Sequence, residues 1–145
     1  MSAVEDFLSP EEEQEVIEAI RTAEKNTSGE IRVHIEHSAN TDPFNRALEV
    51  FHFLKMDNTK AQNGVLIYVA VKDRQFVIYG DKGINDVVPK DFWNSTKDSI
   101  QLHFKSGHFK QGLVAGILKA GEALEQHFPW HHADENELPD NISKG

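Results

Sequence analysis

The chain has 145 residues, the size of one ordinary domain, and its net charge of -9 at pH 7 argues against binding to the phosphate backbone of nucleic acids. It contains no cysteine, which excludes disulfides, thiolate zinc sites and cysteine nucleophiles. The absence of a long apolar run and of a signal-peptide pattern predicts a cytoplasmic protein that is not membrane-embedded.

The first elements of the chain are predicted to be a helix and a strand. Ser9 with Glu12 three residues later forms a capping box, which predicts a helix over residues 10–26. Strict alternation over residues 30–37 then predicts a half-exposed strand. Its polar face carries Glu30, Arg32, His34 and Glu36.

A second helix is predicted to begin at Thr41-Asp42-Pro43 and to run to about Met56. Residues 64–71 are apolar on both faces, which is typical of a central strand covered on both sides. A tight polar turn leads into a third strand over residues 75–79, so these two strands form a hairpin.

Two further helices are predicted near the end of the chain, at residues 92–105 and 109–127. The crossover makes the first two strands parallel, and the hairpin makes the third antiparallel to the second. The predicted fold is a single α/β domain, residues 1–129, with a mixed sheet of three to four strands between helices. Residues 130–145 are predicted to be a flexible, acidic, histidine-containing tail.

The strand directions bring several oxygen-bearing side chains to one edge of the predicted sheet. The third strand ends at Gly80-Asp81, at the edge where the first two strands begin with Glu30 and Asn63. Asn85 and Asp86 follow in the same glycine-containing stretch. Calcium and magnesium prefer carboxylate and amide oxygens, so the edge is a candidate cation site. The alternative is that these are turn residues that make local Asx hydrogen bonds.

A second candidate metal cluster lies near the C-terminus. Zinc or nickel could bind to its histidines and acids, although a solvated tail would have the same composition. The cluster consists of His127, His131, His132, Asp134, Glu135 and Glu137.

Nucleotide-binding loops and nucleophile elbows are absent from the sequence. Hydrolysis of phosphate esters would therefore depend on a metal. Arg32 could orient such an anion, or it could pair with the neighbouring Glu30 or Glu36 on the strand.

Several stretches in order resemble the TPM domain family of bacterial and thylakoid lumen proteins. They are Thr27 to Val33, Asn63 to Ile67, Asp73-Arg74, Gly80 to Ile84, Pro89 to Trp93, Phe109 with Gly112, and His127 to Pro129. The resemblance covers roughly residues 7–129 and implies a sheet sandwiched by helices. It also implies divalent-cation binding and, for some members, acid phosphatase activity.

Two motifs of the family are altered in this chain. Gln62-Asn63-Gly64 stands where Asp-Asn-Gly is common, and Gly83-Ile84-Asn85 stands where Gly-Leu-Glu is common. The two lost acids weaken the implied phosphatase more than the implied fold.

The sequence therefore predicts a protein that binds calcium or magnesium through Glu30, Asn63, Asp81 and Asp86, with weak phosphatase activity on phosphate esters. The alternative is a non-catalytic accessory module whose acidic surface and tail bind a protein partner.

Overall fold

The computed structural model describes residues 3–130 and 140–145. Helices α1 (Ala3–Phe7) and α2 (Pro10–Glu24) precede strand β1 (Glu30–Glu36), which is followed by helix α3 (Pro43–Phe53). Strands β2 (Gly64–Ala70) and β3 (Gln75–Gly80) come next, then helices α4 (Lys82–Asn85), α5 (Asn94–Lys105) and α6 (Phe109–His127). The last element is the short strand β4 (Ser143–Lys144).

The strands form one mixed sheet in the order β3-β2-β1-β4. β1 is parallel to β2, and β2 is antiparallel to β3, as the crossover and the hairpin predict. β4 adds to the free edge of β1 in parallel orientation. The predicted α/β fold with a mixed sheet is confirmed.

Two hydrophobic cores lie on the two faces of the sheet. Ile31, Val33 and Ile35 of β1 face a core to which α2, α5 and α6 contribute. Leu66 and Tyr68 of β2 face a smaller core built with α3. β2 is buried along its whole length because it receives helices on both faces.

The start of α2 has the capping structure that its sequence predicts. Ser9 Oγ accepts a hydrogen bond from the Glu12 backbone N–H, and the Glu12 side chain accepts one from the Ser9 N–H. The predicted capping box is therefore present. Helix α3 ends at Phe53, before the predicted Met56, because Lys55 adopts a left-handed conformation with φ of 58°.

The polar face of β1 is buried, so the prediction of a half-exposed strand is wrong. Glu30, His34 and Glu36 are 3%, 5% and 5% exposed, respectively. Arg46 of α3 reaches the Glu36 carboxylate, and Ser143 of β4 contacts the His34 ring. These groups come from distant parts of the chain, which is why alternation along β1 cannot reveal the burial.

The end of the chain also departs from the expectation of a loosely attached tail. Ile142 is buried in the larger core, and the Gly145 N–H donates a hydrogen bond to the Ile35 carbonyl. Lys144 forms an ion pair with Glu13 of α2. Residues 142–145 are thus part of the folded domain.

No helix in the two described ranges, 3–130 and 140–145, combines the length and the apolar character required to cross a lipid bilayer.

Candidate functional site

The edge of the sheet predicted from strand directions is present. Glu30 at the start of β1 lies opposite Gly64 at the start of β2. On the other side of Gly64, the Asp81 N–H donates a 3.0 Å hydrogen bond to the Gly64 carbonyl. The backbones of Glu30 and Asp81 are therefore about two strand spacings apart, roughly 10 Å.

Asp81 is the most unusual member of this edge. It is the N-cap of α4, and its Oδ1 accepts a 2.7 Å hydrogen bond from the Lys82 N–H. Its Oδ2 is buried and has no hydrogen-bond donor in the described part of the chain. A buried carboxylate oxygen without a donor is energetically costly.

The electrostatic surroundings of Asp81 come from the region at the end of α3. Burial raises the pKa of Asp81, and the Lys82 N–H opposes this rise. The charge of Asp57 also raises the pKa, and His52 lowers it. His52 and Asp57 are themselves paired at 3.1 Å. No local sequence pattern connects these two residues with Asp81, because their effect on it depends on how α3 crosses the sheet.

Gly83 explains how α4 fits against this edge. A Cβ atom at residue 83 would lie 2.2 Å from the carbonyl oxygen of Ala61 and 2.6 Å from that of Gln62. Real Cβ atoms do not approach backbone oxygens so closely, so only glycine allows α4 to lie against the loop that precedes β2. The predicted tight reversal after β3 is therefore a short helix, and its glycine is required by this close approach.

The two other candidate residues of this stretch, Asn85 and Asp86, form polar contacts with residues close to them in the sequence. Asn85 Nδ2 donates a 3.0 Å hydrogen bond to the Gly80 carbonyl, which fits the alternative of a turn residue. Asp86 is exposed, and its carboxylate pairs with Lys82 Nζ at 3.0 Å. The Asn85 N–H also donates a 3.1 Å hydrogen bond to the Asp81 carbonyl, but none of these contacts involves the Asp81 carboxylate.

Asn63 connects the starts of β1 and β2. Its Nδ2 donates a 3.2 Å hydrogen bond to Ser28 Oγ, and its carbonyl accepts one of 3.3 Å from the Glu30 N–H. Its own N–H donates to Thr59 Oγ1. Asn63 is buried, and these contacts hold the two strand starts in register.

Glu30 lines a cavity of about 340 Å³ that no local sequence pattern indicates. The cavity lies beside the start of β1 and is closed in part by the segment before β4. Its lining consists of Arg21, Glu24, Lys25, Thr27, Ser28, Gly29, Glu30, Trp130 and Asp140.

Burial and the other acidic residues of this cavity raise the pKa of Glu24. Burial, followed by the hydrogen bond with Asp140 and the negative charges of Asp140 and Glu30, raises the pKa of Glu24 to about 9. Glu24 Oε2 also accepts a 3.0 Å hydrogen bond from the Ile31 N–H, which opposes the rise. Glu24 is therefore protonated at neutral pH. No sequence signal connects Glu24 with Asp140, since the two residues meet only through the tertiary fold.

Within residues 3–130 and 140–145, no three His, Asp or Glu side chains come together as a group that could hold a metal ion. The predicted oxygen ligands share one edge of the sheet, but their contacts place them in two separate locations along that edge. Asp81 lies near the end of α3, and Glu30 lies in the cavity with Glu24. Carboxylate and amide oxygens of this kind suit hard cations, and the Asp81 Oδ2 accepts no hydrogen bond within residues 3–130 and 140–145.

Of the predicted histidine cluster, His131, His132, Asp134, Glu135 and Glu137 lie outside the described residues. His127 is the last residue of α6, and its ring contacts Phe92.

Comparisons with known proteins agree with the fold. The sequence model of the TPM domain matches residues 2–123. The NMR structure of the BA42 protein from the psychrophilic bacterium Bizionia argentinensis is 66% identical, with both chains covered completely and a TM-score of 0.93. No curated protein gives a significant match.

Two more distant NMR structures share the fold alone. The N-terminal domain of a protein from P. gingivalis is 22% identical, with 87% of this chain and 83% of that chain covered and a TM-score of 0.70. The N-terminal domain of the cg2496 protein from Corynebacterium glutamicum is 14% identical, with coverages of 81% and 74% and a TM-score of 0.65.

Proposed function

Since the chain belongs to the TPM domain family, we propose that it is a divalent-cation-binding domain, with calcium or magnesium bound at the sheet edge that holds Asp81. The observation that carries this proposal is the buried Asp81 Oδ2, which accepts no hydrogen bond from the described residues. A hard cation would supply the positive charge that this oxygen lacks.

Asp81 is the proposed anchor ligand. Asn63 offers a further oxygen at the start of β2, and Glu30, which lines the cavity beside the start of β1, adds negative charge to the same edge of the sheet. Asp86 is exposed, so its participation requires that its ion pair with Lys82 opens. The pair is a surface contact of small energy, so a cation can compete with it.

Amide shift mapping during separate titrations with calcium and magnesium tests the site. We expect saturable shifts that are concentrated at residues 28–31, 62–65 and 80–86. Uniform small shifts over the acidic surface, or no shifts, would contradict the proposal.

Asp81→Asn is the decisive variant. It removes the negative charge but keeps an oxygen that can accept the Lys82 N–H bond at the start of α4. We expect the cation affinity to fall at least about tenfold, which corresponds to roughly 1.4 kcal/mol. Asp98→Asn, on the exposed face of α5, is the charge-matched control and leaves the affinity unchanged. Asp86→Asn then reports whether the exposed carboxylate takes part.

The finer part of the proposal is weak phosphate monoester hydrolysis by the cation-bound form. A bound divalent cation polarises a phosphoryl oxygen or lowers the pKa of a bound water. The support is the acid phosphatase activity that the family resemblance implies. Hydrolysis of p-nitrophenyl phosphate should require calcium or magnesium, cease with a chelator, and be lost in Asp81→Asn. Hydrolysis that survives both the chelator and the substitution would separate the activity from the site.

The alternative, an accessory module with a protein partner, concerns mainly the acidic tail that lies outside the described residues. Truncation after residue 129 would also remove Ile142 from the core. Substituting Asp134, Glu135 and Glu137 by their amides is therefore the cleaner test of a tail-mediated interaction.

A further inference from the structure

A continuous hydrogen-bonded chain of three side chains crosses from β4 to β1. Ser143 Oγ lies 2.9 Å from His34 Nδ1, and His34 Nε2 lies 3.0 Å from Glu36 Oε1. Both distances are within hydrogen-bonding range for a hydroxyl nucleophile, its base and the group that orients the base. None of the three residues belongs to the cation site proposed above.

The Glu36 carboxylate, at the end of this hydrogen-bonded series, is held by several donors. Arg46 donates two hydrogen bonds to Glu36, of 2.8 Å from Nε and 3.0 Å from Nη2, and the Tyr68 hydroxyl donates a further one. Burial alone would raise the pKa of Glu36, but these donors together with His34 lower it to about 2. Glu36 is therefore an acceptor at neutral pH, and it selects the His34 tautomer with the proton on Nε2.

This tautomer leaves the lone pair of His34 Nδ1 directed to the Ser143 hydroxyl. Burial lowers the pKa of His34, and Glu36 opposes this effect, while the charges of Arg46 and Arg32 add to it. The ring is therefore neutral at pH 7 and can accept a proton.

Solvent exposure within this hydrogen-bonded series is highest at Ser143, the residue that would act as a nucleophile. The His34 and Glu36 side chains are 7% and 6% exposed, whereas Ser143 on the edge strand is only partly buried. Ser143 is therefore the most exposed of the three residues, and the base lies behind it.

Arg32 lies two residues before His34 on the same face of β1. Its Nε is buried and has no hydrogen-bond acceptor in residues 3–130 or 140–145. An unused donor on a cation is the type of group that stabilises an oxyanion as it develops.

We propose that Ser143 is an activated nucleophile toward carboxylic esters, with His34 as the general base, Glu36 as the residue that orients it, and Arg32 as the cation that supplies positive charge on the same face of β1. This activity goes beyond the proposed cation binding and does not depend on it.

The reaction balances without a cofactor. Ser143 Oγ attacks the carbonyl carbon while its proton passes to His34 Nδ1. The ester C–O bond then breaks, and His34 returns the proton to the departing alkoxide oxygen. Water attacks the acyl-serine by the same route, which releases the acid and restores the hydroxyl.

A reporter-tagged fluorophosphonate probe and p-nitrophenyl acetate test the proposal on the full chain. We expect one tag per molecule, located by peptide mass spectrometry at Ser143, and labelling that heat denaturation abolishes. The labelling rate should fall as the pH is lowered through the pKa of His34, which burial places below its ordinary value. A chelator should leave the rate unchanged, which separates this site from the cation site.

The matched variants are Ser143→Ala and Ser106→Ala, the second in an exposed position at the end of α5. Ser143→Ala should reduce labelling and ester hydrolysis at least about tenfold, and Ser106→Ala should change neither. Tagging of other serines, or an unchanged rate in Ser143→Ala, would overturn the proposal. The mapped position of the tag in the unaltered chain decides the question even if Ser143→Ala is unstable.

Discussion

Glu24 and Glu36 lie beside opposite ends of β1, and their pKa values move in opposite directions from the same ordinary value of 4.5. That of Glu24 rises to about 9, and that of Glu36 falls to about 2. Burial acts on both in the same direction, because it disfavours the charged form of a carboxyl group. The difference lies in the neighbours: the acids Asp140 and Glu30 raise the pKa of Glu24, whereas Arg46, Tyr68 and His34 donate hydrogen bonds to Glu36 and lower its pKa.

The two residues therefore influence stability in opposite pH ranges. A raised pKa means that the contribution of Glu24 is fully present below pH 4.5 and is lost as the pH rises toward about 9. A lowered pKa means that the contribution of Glu36 is present above pH 4.5 and is lost as the pH falls toward about 2. Three substitutions test this contrast.

Arg46→Met should have the largest effect. It removes two of the donors of Glu36 and leaves a buried carboxylate with only Tyr68 and His34. We expect a loss of about 3 kcal/mol in the free energy of unfolding at pH 7, measured by urea denaturation. The loss should shrink near pH 3, where Glu36 of the variant is protonated.

Lys97→Met, at an exposed position of α5, is the control for Arg46→Met and should change stability by less than about 0.5 kcal/mol. Equal losses in Arg46→Met at pH 7 and pH 3 would show that the Arg46 contribution is packing and not charge.

Glu24→Gln should stabilise the protein at alkaline pH. The glutamine retains an oxygen for the Ile31 N–H and gains an amide that can donate to Asp140 without titrating. We expect a gain of about 2 kcal/mol at pH 8 and almost none at pH 4, with the exposed Glu18→Gln as control. If the dependence of stability on pH has the same shape in the variant and in the original chain, Glu24 does not have the raised pKa described for the cavity.

Tyr68→Phe should have the smallest effect of the three. It removes one hydrogen bond to Glu36 and retains the ring in the smaller core. We expect a loss of about 1 kcal/mol at pH 7. The acid unfolding midpoint should move to higher pH, since the pKa of Glu36 rises when a donor is removed. An unchanged midpoint would mean that Arg46 and His34 alone set that pKa.

Local patterns predict most of the fold. The capping box at Ser9 and the uniform burial of β2 are properties of neighbouring residues, and they appear as expected. The shared edge of Glu30, Asn63 and Asp81 also follows from strand directions alone. Whether these oxygens bind a cation stays a prediction, as does the cytoplasmic location.

What the sequence does not reveal depends on contacts between distant segments. The burial of His34 and Glu36 requires Arg46 from α3 and Ser143 from the end of the chain. The cavity beside Glu30 requires Asp140 to meet Glu24. β4 itself has two residues, too few to show an alternation that periodicity could detect.

The pairing of β1 with β4 also determines the order in which the molecule can fold. Ser143 and His34 are 109 positions apart, and Thr27 and Phe128 are 101 apart, so these contacts carry high loop-closure entropy. We expect them to form after the local helices and the β2–β3 hairpin. During synthesis, this edge of β1 therefore remains unpaired until residues 143 and 144 have left the ribosome, and that interval is when the edge is most exposed to aggregation.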